Sequence, residues 1–591
     1  MASLKLTRFS GEIPRTAERL LPEMAAQQAE NLNITSGEIR AVRKSEEVFT
    51  PSIGVLSAAY RATHGAAEKW RGWTVDVDIV RGPFSYDVEP RFYWTGDGPP
   101  KYSTFTNFGT IDYALGLPAP TTKPAVTVAG GTGASINRTY LYTFYNPATG
   151  EESAGSPVAN IASGPVTGMW KISGLSAAPA GGIGVVYNTT GLMQRLYRTS
   201  GTSAAFQLVA QRAASIAVWN DTVLDAAMMG DEYISAGWLP PPANLKGLIS
   251  LPNGSLCGFT DNTICFSEPY QPHAWPKAYS YGTDYSMVGI AAFGTTVVAC
   301  TSSYPYVTSG QDPKSLTLER IDNAWPCLSK RSVISVGDGV VFATTYGIAL
   351  VGMAGSSVFS KDLFTREEWE LLNPASMVCA FAEDRLHVAY TPTDGLTKML
   401  IISPGEPEAY LTRSTLMPNE LYKDPANGLL YLVGPSVQKY NSRAGASLPF
   451  NWLSKEIEFP TPVNFGAAKV EYKSNMSDLD VKAAAEAYAL DVQSNKQIIS
   501  QYLVHGAYGE DAYDVMTVSG SAIKPPTTTG DLLAITFFTT HGEVFSKFVT
   551  SQDAFRLPSG FKHDKLTVRL TGNVRIKSVR IAETMKGLAN V

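Results

Sequence analysis

The residues able to do chemistry are few and scattered through the 591-residue chain. Six histidines (His64, His273, His387, His505, His541 and His563) include no two spaced three or four apart, so no helix face offers a pair of imidazoles to a metal ion. The five cysteines, Cys257, Cys265, Cys300, Cys327 and Cys379, contain no CxxC pair. Their odd number and wide spacing fit buried thiols in a protein made in a reducing cytosol. Cys257 and Cys265 flank the turn of one expected hairpin, where packing explains both. A GxSxG nucleophile elbow is missing. The GGTGAS stretch at 130–135 lacks the GK[ST] of a phosphate-binding loop and reads as a flexible linker.

Carboxylates need a closer look, because glycosidases work with two of them roughly 5–10 Å apart. Asp76, Asp78, Asp97, Glu268 and Asp284 are the candidates, and in FSEPYQPHAWP the rings of Tyr270 and Trp275 could stack on a sugar. The SxDxGxTW boxes of sialidase-type propellers are missing, and Glu268 before Pro269 reads as a turn residue. The expectation is a structural role, with no catalytic, metal or cofactor-binding residue. WRGW at 70–73 and RFYW at 91–94 have the look of stacking platforms for single-stranded nucleic acid, but aromatics alternating with polar residues on strands are more often half-core. The C-terminal KLTVRLTGNVRIKSVRI is locally basic through Lys565, Arg569, Arg575, Lys577 and Arg580, and reads as a solvated sheet face.

The elements that hold these residues are mostly short strands. There are 51 Gly, 37 Pro and 28 Tyr spread along the chain, as many strands joined by turns require. Strand–turn–strand runs recur at Asn253, Phe293, Asp338, Glu383 and Asn427, and the residues that follow them are 40, 45, 45 and 44 apart. One four-stranded propeller blade uses about 40–50 residues. The fold class expected is therefore mainly β: a β-propeller with an inserted fibronectin-III-like β-sandwich and a C-terminal β-rich domain. Four segments follow. Residues 1–117 contribute propeller blades, with TVDVDIV at 74–80 as a half-buried strand and a helical-looking stretch at 14–32 that Pro22 interrupts. Residues 118–240 form the inserted sandwich behind a Pro/Gly/Thr-rich linker, 241–450 the main blades, and 451–591 the C-terminal domain, with a helical insertion from Lys482.

Several stretches resemble the tail nozzle (tail tubular protein B-like) family of short-tailed bacteriophages. They are FSGEIPRTAERLLPEMAAQQAENLNITSGEIRAVRK near the start, RFYWTGDGPPKYS followed by LGLPAP at 115–120, GFTDNTICFSEPYQPHAWP, YVTSGQDPKSLTLERI and PCLSKRSVISVGDGVVFAT in the centre, and FRLPSGFKHDKLTVRLTGNVRIKSVRIA at the end. They lie in order over most of the chain, apart from 463–558. The resemblance implies a structural virion protein of the tail, made in the host cytoplasm. Its homo-oligomer is a hexameric ring that conducts double-stranded DNA during ejection and docks the adaptor, tail fibres or spikes and the host outer surface. It implies no enzyme and no cofactor; the channel-lining residues stay unassigned. The alternative is a carbohydrate-binding or carbohydrate-active propeller acting as a receptor-binding tail component. A third reading, a secreted adhesion protein with a fibronectin-like insert, runs against the start MASLKLTRFSGEIPRTAERLL, which has no apolar core of signal-peptide length.

Charge adds one more expectation. The net charge is −5, whereas a nucleic-acid binder usually draws its affinity from a basic surface. A conduit should avoid strong phosphate sites, so the lumen is expected to be acidic or neutral, with the strands from Lys565 to Arg580 turned away from it.

Overall fold

The computed structural model describes residues 2–84, 87–179, 185–201, 203–228, 230–403, 409–474, 480–487, 489–490, 493–494, 517–518, 521–522, 530–540, 542–558 and 562–589. Strands make up 45% of the chain and helix 8%, so the protein is mainly β and built from many small sheets. Among the described residues no helix is long and apolar enough to cross a membrane.

Four-stranded sheets succeed one another through the centre. They span 246–282, 287–320 and 334–358, each a simple meander of neighbouring antiparallel strands. Asn253, Asp338, Glu383 and Asn427 fall at the turn between the first and second strands of their sheets, and Phe293 ends the first strand just before that turn. Gly254, Gly294 and Gly428 have positive φ there, and in the fourth sheet Glu383 and Asp384 adopt φ of 52° and 57°. The recurring turn residues thus mark a backbone requirement: the chain must reverse within two or three residues, and Gly, Asn and Asp do so at least cost.

Strands are sandwiched between neighbouring sheets, which is why their central segments are apolar on both faces. Phe259, Ile264 and Phe266 pack on Ile290, Val297 and Ala299 of the next sheet. Val298 and Cys300 pack on Val340 and Phe342, and Ile348 meets Val388 and Leu400 further on. The fourth sheet begins with Val378–Ala382, Arg385–Tyr390, Lys398–Ser403 and Tyr410–Ser414, then continues through Ala26–Glu30 into C-terminal strands to make a ten-stranded sheet. A fifth sheet has three strands from 420–439 and takes Glu46–Phe49 from far upstream as its fourth. The N-terminal hairpin Ala58–His64/Ala67–Trp73 and a sheet over 78–114 complete the set.

Three sequence-based expectations need correction. The stretch at 14–32 is not helical: it holds a single turn at Glu18–Leu20, then the strand Ala26–Glu30. Ala25, Ala26 and Ala29 are buried, and pairing with Phe450–Ser454 outweighs the helix propensity of alanine. Within residues 1–117, Ser3–Leu6 pairs with the last long strand, Arg575–Ala582, Ala26–Glu30 joins the ten-stranded sheet, and 46–114 lies with the other central sheets. TVDVDIV is broken after Trp73 and pairing resumes at Asp78, so that Asp76 O comes close to Gly96. The proposed linker is half strand: Ala125–Ala129 pairs with Met169–Ser173, and GGTGAS is the turn that leads to the strand Ser135–Arg138.

Residues 125–221 form two main sheets, 125–129/169–173/219–221 and 140–146/151–152/193–198/207–213, whose facing sides meet at Tyr140, Tyr142, Trp170, Ile172 and Leu196. In the C-terminal part KLTVRL and VRIKSVRI lie on the strands His563–Gly572 and Arg575–Ala582. The helical expectation from Lys482 holds for 480–487, and most of the rest lies outside the described residues.

Candidate functional site

A cavity of about 650 Å³ lies where the first strands of the central sheets converge. Its wall takes residues from the hairpin at 58–60, from 77–81, 247–250, 289–292, 333–335, Cys379 and 420–423. Apolar side chains such as Ile79, Ile249, Ile290 and Ile334 make most of it.

One part of the wall carries an ionic cluster. Lys330 and Arg331 come from a single turn at 330–332, just before the strand Ile334–Ser335. The Lys330 ammonium donates to Asp76 at 2.9 Å and to Asp78 at 2.5 Å. The Arg331 guanidinium contacts both carboxylates, donates to the Val77 carbonyl at 3.0 Å and approaches Glu420 at 3.5 Å. Asp78 also accepts from the Gly247 amide at 3.1 Å. Residues more than 300 apart in sequence are thereby tied across the cavity wall, in a cluster of two cations and three carboxylates.

Glu420 is the unusual member. Its side chain is 12% exposed, and among the described residues its carboxyl accepts one hydrogen bond, from the Leu421 amide at 3.1 Å. Burial raises its pKa to about 7; Arg331 and the Leu421 amide oppose the shift, and Asp78 adds to it. Cys379 lies in the same wall, where burial and the nearby Glu420 hold its thiol well above the usual range. A thiol in that state is a poor nucleophile.

The carboxylates singled out from the sequence divide between separate places. Asp76 and Asp78 come together, but on Lys330 and Arg331. Asp97 pairs with Lys101 at 3.0 Å, and Asp284 accepts from the Tyr306 hydroxyl at 2.9 Å. Glu268 lies in the bend after Cys265 and interacts with Tyr279. Trp275 is buried and donates its indole N–H to the Pro272 carbonyl at 2.8 Å, so it has no free face for a sugar. Tyr270 is half exposed and packs over Gly254.

The remaining sequence candidates are mainly core. Trp70 packs against Tyr431, and the Arg71 guanidinium lies against the rings of both Trp73 and Trp94 and is itself paired with Asp112. All five cysteines are free and buried. His387 is buried and neutral, its pKa lowered to about 3 by burial and by Arg385. His273 is lowered to about 3 by burial and Arg91, and its Nε2 accepts the Glu152 amide at 3.1 Å, which helps seat the insertion on the central sheets. His505 and His541 lie outside the described residues. Among the described residues no cluster of His, Cys, Asp and Glu is arranged to hold a metal ion.

Sequence reasoning missed Lys330, Arg331 and Glu420, which occupy no recognisable motif. The signal available was weak: a Lys-Arg pair inside an otherwise uncharged stretch, CLSKRSV. No protein-family model matches this chain, and no curated protein matches it.

Proposed function

We propose that this chain is a structural, ring-forming protein of a short-tailed phage virion, the tail nozzle, and acts as a conduit for double-stranded DNA. In this reading the central sheets are the blades of a propeller that Glu46–Phe49 closes, and residues 118–240 are a sandwich inserted in it. Copies assemble into a ring, of order six on the resemblance alone, and their outer surfaces dock the adaptor and the fibres or spikes.

The observation that carries the architecture is the shared cavity, to which the first strand of each central sheet contributes. Its size decides where DNA travels. A sphere of that volume is about 11 Å across, less than the roughly 12 Å width of one major groove. Part of the cavity wall is further tied together by the Lys330–Arg331 cluster. Duplex DNA therefore passes between copies and not through one, and the ionic cluster is a brace that keeps each subunit rigid.

Multi-angle light scattering and negative-stain electron microscopy of the purified full chain test the proposal. The expected result is a closed ring of several copies around a lumen wider than a duplex. Single copies at every concentration would refute it.

A further inference from the structure

The basic C-terminal strands divide into two groups. Lys565 is neutralised by Glu456 and Glu458, and Arg569 stacks on Phe538. Arg575, Lys577 and Arg580 belong to a different sheet, in which Arg575–Ala582 lies between Ser3–Leu6 and Ala467–Lys473.

Register brings further cations to them. Lys5 and Lys469 both stand opposite Arg580, one on each neighbouring strand, and Lys473 stands opposite Arg575. Leu4, Leu6, Val470, Tyr472, Ile576, Val579 and Ile581 turn the other way, into the core. Lys5, Lys469, Lys473, Arg575 and Arg580 therefore point outward together, and Lys577, at the register shift, is exposed on the same side. Glu471, on Arg580, and Glu38, on Arg575, are the counter-charges. Among the described residues no carboxylate pairs with Lys5, Lys469, Lys473 or Lys577.

Six cations against two carboxylates is a local excess of four on a chain whose total is −5. Like charges directly opposite each other on adjacent strands, with Cβ atoms about 5 Å apart, are destabilising. Here three stand in one row, and the Nε of the middle one, Arg580, is buried without a hydrogen-bond acceptor among the described residues. An external polyanion would relieve that repulsion.

We propose that this outward sheet face is a contact surface for the phosphate backbone of duplex DNA. A protein partner fits less well. Four of the six cations are lysine, which protein interfaces disfavour, and the outward positions of the three strands carry no large apolar side chain to act as an anchor. Lysines on a flat face grip phosphate without reading sequence. The face thus departs from the expectation that these strands turn away from DNA, and it stands whether or not the copies assemble into a ring.

Fluorescence anisotropy of a labelled 30-base-pair duplex, at salt from 50 to 200 mM, tests the inference on the full-length protein. Neutralising about four phosphates gives a log–log salt slope near −3.6, roughly a hundredfold loss over that range. K5Q/K469Q/K577Q should weaken binding at least tenfold at 50 mM salt and flatten the slope by nearly 3. K277Q/K314Q/K361Q, which removes the same charge elsewhere, should change neither. Both variants must keep the wild-type near-ultraviolet circular dichroism and melt no lower than the wild-type protein. No binding by the wild-type protein at 50 mM salt, equal losses in the two variants, or displacement by polyglutamate as effective as by unlabelled duplex would each overturn it.

Discussion

Replacing Glu420 by Gln should make the protein more stable at pH 8 and leave it unchanged at pH 4.5. The carboxyl sits in the cavity wall with one amide donor and an arginine at 3.5 Å, and Asp78 repels its charge. Its pKa is about 7 in the folded chain against 4.5 for an exposed glutamate. The folded state therefore holds a proton that the unfolded chain releases between those two values, and stability falls as pH rises through that window. The loss is about 1.4 kcal/mol per pH unit and reaches about 3 kcal/mol above pH 7. Glutamine copies the protonated carboxyl in shape, keeps an acceptor for the Leu421 amide and cannot ionise. A chain of this size need not unfold in one step, so a local readout is preferable. Cys379, in the same wall, supplies it through its labelling by a small neutral thiol reagent, quantified by peptide mass spectrometry. When reclosing outpaces reaction, the labelling rate follows the opening equilibrium. At pH 8 the variant should label roughly a hundredfold more slowly, the equivalent of about 3 kcal/mol. The intrinsic reactivity of the thiol cancels, since both proteins are compared at the same pH. Equal rates at pH 8, or a difference that persists undiminished at pH 4.5, would refute the reasoning.

Three further outcomes are expected. His387 is buried and neutral with its pKa lowered to about 3, so the fold loses stability as pH falls below the unfolded value of 6.5, and His387→Leu should flatten the acid side of the stability profile measured by urea unfolding. Arg198 is fully buried and holds Asp221 at 3.0 Å and Asp225 at 2.6 Å, so Arg198→Met should destabilise the sheets of residues 125–221 by about 3–5 kcal/mol, seen as a lower melting midpoint in calorimetry. Gly96 has φ +107°, and a Cβ there would stand 2.1 Å from the Asp76 carbonyl oxygen, so Gly96→Ala should lower the overall melting midpoint by straining the segment that presents Asp76 and Asp78; an unchanged midpoint would show that the loop relaxes freely.

The sequence by itself determined the kind of structure and its rhythm. Turn residues such as Asn253-Gly254 and Asn427-Gly428 act within a few residues of backbone, so their spacing gives the repeat without reference to the rest of the molecule. The same locality made the strands at 563–572 and 575–582 legible through their alternation. Tertiary structure decided whatever depends on residues distant in the chain. Alanines at 25, 26 and 29 favour a helix locally, yet they form a strand because Phe450–Ser454 supplies hydrogen bonds and apolar cover. Glu46–Phe49 reads as an unremarkable charged segment until the strand Val437–Lys439 leaves an edge for it to fill. Lys330, Arg331, Asp78 and Glu420 become one site only when separate sheets converge on a cavity. The face formed by Lys5, Lys469 and Arg580 likewise needs three strands in register from opposite ends of the chain, because charge adds up over distance in space and the sequence records only order.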